Sequence, residues 1–103
     1  KHREDHIPQL ACLEEDRLFD GECIRFKGFD GEMDVTCGVT LYALQHCDPD
    51  LPKHGLVSSE AFLAAFDKLL TEIHQAARTK HARGLYEAEG PVKIMVHRQD
   101  LSP

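Results

Sequence analysis

The stretch from Val57 to Gly84 constrains this chain more than any other. Phe62, Phe66, Leu69, Ile73 and Ala76 recur at alternating spacings of four and three, and Leu63, Leu70 and Ala77 widen the stripe. Such spacing returns to one side of a helix and never to one side of a strand. Asp67, Lys68, Thr71, Glu72, Gln75, Arg78 and Thr79 fall on the opposite, wet side. Ser58 is placed to accept hydrogen bonds from the first free N–H groups, and Glu60 meets the positive end of the helix dipole. Arg78, Lys80, His81 and Arg83 meet its negative end, and Gly84 supplies the left-handed residue that stops many helices. One helix over this stretch would be about 38 Å long, more than a small sheet covers, so its last turns are expected to project.

A chain of 103 residues suits one domain with one core. Charged residues make up 29% and no apolar run is long enough to cross a bilayer, so a membrane-spanning protein is excluded. The net charge of −6 disfavours nonspecific attraction to nucleic acid or anionic lipid. The chain opens Lys1-His2-Arg3 without methionine, which reads as a processed or trimmed product. Cys12, Cys23, Cys37 and Cys47 contain no CxxC pair, so neither a zinc ribbon nor a thioredoxin-like site is indicated. Reduced cysteines and a cytoplasmic protein are expected.

In chain order, residues 1–18 read as a flexible or irregular arm: the first six are polar, and Ile7, Leu10 and Leu13 are the side chains able to fold back as an arm or a strand. Residues 19–103 form the domain. Alternation over Glu22–Phe29 and Glu32–Val39, with Asp30-Gly31 between, predicts a hairpin with a type I′ turn. Pairing Phe29 with Glu32 sets Phe26 opposite Val35, Ile24 opposite Cys37 and Lys27 opposite Asp34. Thr40 caps a short helix beginning at Leu41, which Pro49 and Pro52 end. Val92, Ile94 and Val96 alternate with polar neighbours as a third strand, expected beside the first and antiparallel to it. Arg98–Pro103 shows no pattern. The fold class is two-layer α+β: a small antiparallel sheet, hairpin plus C-terminal strand, packed on one long and one short helix. The expected core is Ile24, Phe26, Val35, Cys37, Leu44, Phe62, Phe66, Leu69, Ile73, Ile94 and Val96.

Ile24-Arg25-Phe26 leading to Gly28-Phe29-Asp30-Gly31, then Ala43-Leu44, Ala64-Ala65-Phe66-Asp67, Ile73, Lys80, Gly84 and Asp100-Leu101 resemble the bacterial domain of unknown function 1488 family. The resemblance covers the chain from about Phe19 onward. It implies a small bacterial cytoplasmic protein with a mixed two-layer fold, and it supplies no reaction and no active site.

His46, Cys47, Asp48, Asp50 and His54 are the densest set of potential metal ligands, though their spacing matches no closed site and two prolines interrupt it. Asp30, Glu32 and Asp34 are explained by the hairpin, and the calcium-loop pattern is absent. Arg78, Lys80, His81 and Arg83 form a basic strip for a partner or an anion, without interleaved aromatics for stacking on bases. Neither a nucleophile motif nor a phosphate-cradling loop appears, and no cofactor is implied. Two readings follow. The first is a non-catalytic interaction or regulatory domain that binds a macromolecule through its sheet face or the projecting C-terminal end of the long helix, where a protein partner or a second copy could be met. The second is a small enzyme or metal-binding protein using the His46–His54 loop.

Overall fold

The computed structural model of the protein describes residues 9–13, 17–52 and 55–101. The chain there runs β1 (Ala11–Cys12), β2 (Leu18–Phe19), β3 (Cys23–Asp30), β4 (Met33–Thr40), α1 (Leu41–Cys47), α2 (Ser59–Lys68), α3 (Leu70–Ala82), β5 (Ile94–Val96) and α4 (Arg98–Leu101). The expectations for residues 1–8, for Glu14-Glu15-Asp16, for His54 and for Ser102-Pro103 lie outside the described residues.

β3 and β4 form the expected hairpin in a register shifted by two residues: Asp30 pairs with Met33, Phe26 with Cys37 and Ile24 with Val39. The turn is therefore Gly31-Glu32 rather than Asp30-Gly31. A type I′ turn needs positive φ at both central residues, whereas here Gly31 alone takes it (φ +66°) and no described non-glycine residue does. Glycine first and a negative-φ residue second is the pattern of a type II′ turn. Because side chains alternate with period two, the shift changes cross-strand partners and leaves each face intact. Lys27 thus faces Thr36 and reaches Asp34 only on the diagonal, at 3.9 Å.

The sheet has five strands in the order β1-β3-β4-β5, with β2 also on the β3 edge. β5 pairs in parallel with β4 (Cys37 with Ile94, Val39 with Val96), so the expected placement beside the first strand is corrected. The physical reason is that β1 and β2 already occupy the free edge of β3, pairing Cys12 with Gly28 and Phe19 with Ile24. Leu10, immediately before β1, is only 4% exposed. It fits because position 28 has no side chain: a Cβ on Gly28 would lie 2.7 Å from Leu10 Cδ1. Gly28→Ala is expected to push Leu10 off the sheet and to cost roughly 1–3 kcal/mol by denaturant unfolding. Amide exchange at Leu13, whose N–H donates to Lys27 O, should accelerate with it.

The long amphipathic stretch folds as two helices rather than one. Leu69 leaves helical geometry (φ −102°, ψ 15°), and its N–H is shared between the carbonyls of Ala65 and Phe66. Just before this tightened turn, adjacent side chains are drawn to different segments. Asp67 accepts both arms of Arg17, while Lys68 donates to Asp48 and Asp50. The expected caps form: Thr40 accepts from Ala43 N, and Ser58 from Ala61 N. At the end of α3, Gly84 N–H donates to His81 O and Leu85 N–H to Lys80 O, a Schellman closure with Gly84 at φ +70°. Residues 98–101, where the sequence shows no pattern, make a helical turn. There Asp100 accepts from His97 N–H and its own N–H donates to His97 O, a reciprocal cap.

The inner face of the sheet (Ile24, Phe26, Val35, Cys37, Val39) meets Phe62, Phe66, Ile73, Ala65 and Ala77 from the helices. Every expected core residue is buried except Leu69, at the helix break, which is partly so. Cys23 and Cys37 point to opposite faces, and burial raises both thiols: Cys37 to about 12, and Cys23, aided by the nearby Asp20 carboxylate, to about 11.

Candidate functional site

The basic strip at the end of α3 is brought together, but three of its four members are engaged internally. Arg78 Nε donates to Leu10 O at 3.1 Å, and Lys80 Nζ donates to Met95 O at 3.0 Å and to Asp100 at 2.9 Å. His81 is buried between Asp30, 2.8 Å from Nε2, and the Tyr86 hydroxyl, 3.0 Å from Nδ1. The helix therefore does not project bare at this end. The hairpin tip reaches it through Asp30, and the segment after Gly84 returns over it through Tyr86. Arg83 is exposed and makes no side-chain hydrogen bond or ion pair among the described residues.

The metal-ligand set divides. Asp48 turns to the loop and to α2, where its Oδ1 accepts from Asp50 N–H and Lys68 Nζ, and Asp50 also binds Lys68. His46 and Cys47 lie at the C-terminal end of α1 on another surface, and His54 lies outside the described residues. Among the described residues, no three His, Cys, Asp or Glu side chains are grouped to hold a metal ion. None of the described helices is long and apolar enough to cross a membrane.

His46 and Cys47 instead open onto a cleft of about 770 Å³ where α1, α3 and α4 meet. Its apolar lining is Leu69 from the helix break, Ala76 from the second turn of α3, and Leu101 from α4. Thr71, Glu72 and Gln75 of α3 and Arg98 and Asp100 of α4 also line it. The Asp100 carboxylate is neutralised by Lys80, at 2.9 Å. Glu72 and Arg98 have no ion pair or side-chain hydrogen bond among the described residues. Beside the cleft, the exposed Tyr42 ring packs against His46 with centroids 4.2 Å apart. A volume of this size lies within the usual range for binding clefts.

Sequence reading found His46 and Cys47 for another purpose and missed Leu69, Glu72, Arg98 and Leu101 as one surface. The available signal was the mixed α3 face, where Thr71, Glu72 and Gln75 border the apolar stripe. The partner elements were illegible, because α4 has too few residues to show a period.

Two comparisons place the fold among known proteins. A crystal structure of a protein of unknown function from Shewanella loihica PV-4, described as of the DUF1488 family, superposes with a TM-score of 0.74 at 18% identity, covering 91% of this chain and 98% of that one. That likeness concerns the fold. Among curated proteins, none matches the chain. The family described as "Protein of unknown function (DUF1488)" matches residues 15–94, which span the hairpin, α1, α2, α3 and the start of β5. With that match over most of its length, on the fold the hairpin and helices build, the chain belongs to the bacterial DUF1488 family.

Proposed function

We propose that this protein is a non-catalytic interaction domain whose contact surface is the cleft between α1, α3 and α4. The observation that carries the reading is a cleft whose lining combines apolar side chains, Leu69, Ala76 and Leu101, with two charges, Glu72 and Arg98, that make no ion pair or side-chain hydrogen bond among the described residues. Elsewhere the polar groups near the candidate sites are committed to internal bonds: Lys68 to Asp48 and Asp50, Lys80 to Asp100, His81 to Asp30. These bonds tie segments of the fold together. The partner is a protein or a second copy of this chain. At the basic helix end, Arg83 is the member of the strip with a side chain left to join the contact.

Thr71 is exposed on the cleft wall, so Thr71→Arg fills the cleft without touching the core. The variant is expected to unfold within about 0.5 kcal/mol of the parent, as surface substitutions do, and to lose the partner recovered with the parent by affinity capture. Arg83→Glu serves as the parallel test of the helix end. Retention of the partner by the well-folded Thr71→Arg protein would remove the cleft from the contact surface.

A further inference from the structure

Asp30, His81 and Tyr86 come from three segments: the end of β3, the last turn of α3 and the chain that follows Gly84. The His81 ring is their centre, with Asp30 Oδ2 2.8 Å from its Nε2 and the Tyr86 hydroxyl 3.0 Å from its Nδ1. A carboxylate only accepts, so this geometry assigns the proton to Nε2 and leaves the lone pair of Nδ1 facing the phenol. The hydroxyl has a second acceptor, His81 O, at the longer distance of 3.3 Å. His81 is 5% exposed, which fixes the ring, whereas Tyr86 is 48% exposed and open to a reagent. A hydroxyl within reach of a base, with the base oriented by a third group, is the general arrangement that activates a nucleophile. We propose that the Tyr86 phenol is a covalent modification site, activated by His81 with Asp30 as the positioning residue, and that it takes an acyl group from an uncharged activated donor. The phenol oxygen bonds to the acyl carbon while its proton passes to His81 Nδ1. The bond from that carbon to the leaving group then breaks, and the leaving group keeps the electron pair and collects the proton from Nδ1. The product is a tyrosine ester, formed once per chain, with His81 neutral again. Charge selects the donor. Glu87 and Glu89 follow Tyr86 in the chain and, with Asp30, outnumber the guanidinium of Arg83, a balance that disfavours an anionic phosphoryl donor. The inference goes beyond the interaction-domain reading and is independent of the cleft.

The chain has two tyrosines, and Tyr42 is the internal control. It is 58% exposed, and its hydroxyl makes no hydrogen bond among the described residues. The full chain is treated with N-acetylimidazole at neutral pH, and peptide mass spectrometry follows acetylation of each phenol with time. Exposure alone would make Tyr42 react at least as fast as Tyr86. With the relay, Tyr86 is expected to react at least about ten-fold faster than Tyr42, a threshold set below what a positioned general base supplies in an active site. Asp30→Asn removes the charge that fixes the imidazole, so the Tyr86 rate should fall toward that of Tyr42. The Tyr42 rate should stay as in the parent, which separates loss of the relay from loss of the fold. Acetyl phosphate offers the same acyl group on an anionic donor, and with it the preference for Tyr86 should shrink. A Tyr86 to Tyr42 ratio below about ten in the parent chain overturns the proposal whatever the variant does. So does an Asp30→Asn chain that keeps the parent's ratio. An undiminished preference with acetyl phosphate overturns the assignment of an uncharged donor.

Discussion

Replacing Phe66 by alanine is expected to cost about 3–5 kcal/mol, the largest effect of any single substitution considered for this chain. Phe66 is fully buried, with 0% of its surface exposed. Its ring meets Phe26 of β3 at 5.6 Å between centroids and the imidazole of His74 at 6.4 Å, so it joins the two layers and also fills the space beside a buried polar ring. Truncation removes the transfer free energy of the ring and leaves a cavity that the surrounding β3, α2 and α3 cannot close without moving the sheet. Urea unfolding monitored by far-UV circular dichroism measures the loss, and Phe66→Leu, which keeps most of the volume, should recover much of it. A loss under about 1 kcal/mol for the alanine variant would mean that α2 does not present this face to the sheet.

Phe66 also shows what a sequence can reveal. Its partners on α2 and α3 recur at helical spacing and those on β3 and β4 alternate, so the two faces that meet were legible from period alone. Face identity survived the shifted hairpin register because a displacement of two residues keeps every side chain on its side. The choice of cross-strand partners did not survive, since it depends on which residue takes positive φ in the turn, and Asp30-Gly31 and Gly31-Glu32 both satisfy the flanking alternation. Strand order depended on Leu10, Cys12 and Phe19, scattered in a segment whose pairing runs are two residues each, too brief to alternate. The helix break at Leu69 has no proline or glycine to announce it; it coincides with tertiary pairs to Arg17, Asp48 and Asp50, distant in sequence. The cleft inherits that difficulty, because Leu69 and α4 both line it.

The residue on which the helix-end and structural readings diverge most is Lys80, and Lys80→Ala is expected to destabilise the protein by about 2–3 kcal/mol. Breaking a fully buried ion pair by removing one partner costs about 3–5 kcal/mol; here the side chains of Lys80 and Asp100 are 14% and 21% exposed, which lets water relieve part of it. The loss has two parts. Met95 O, in the edge strand β5, loses its donor, and Asp100 loses the cation while it stays partly buried at the start of α4. The pH dependence identifies the second part. Burial pushes the Asp100 carboxyl upward, but the His97 N–H and Lys80 together outweigh it and hold the group below its ordinary value of 3.8. A depressed folded-state pKa contributes stability that is present above that ordinary value and disappears as pH falls through the folded-state one. Without Lys80 the burial effect is opposed only by His97, through its backbone N–H and its charge, so the carboxyl rises and the variant should begin to lose stability at a higher pH than the parent. Asp100→Asn keeps the cap acceptor and removes the charge. In that background, Lys80→Ala should cost clearly less than in the parent, and a double-mutant cycle by denaturant unfolding measures the difference. If Lys80→Ala unfolds within about 0.5 kcal/mol of the parent and still loses the native partner, Lys80 belongs to the contact surface and the clamp on α4 is incidental.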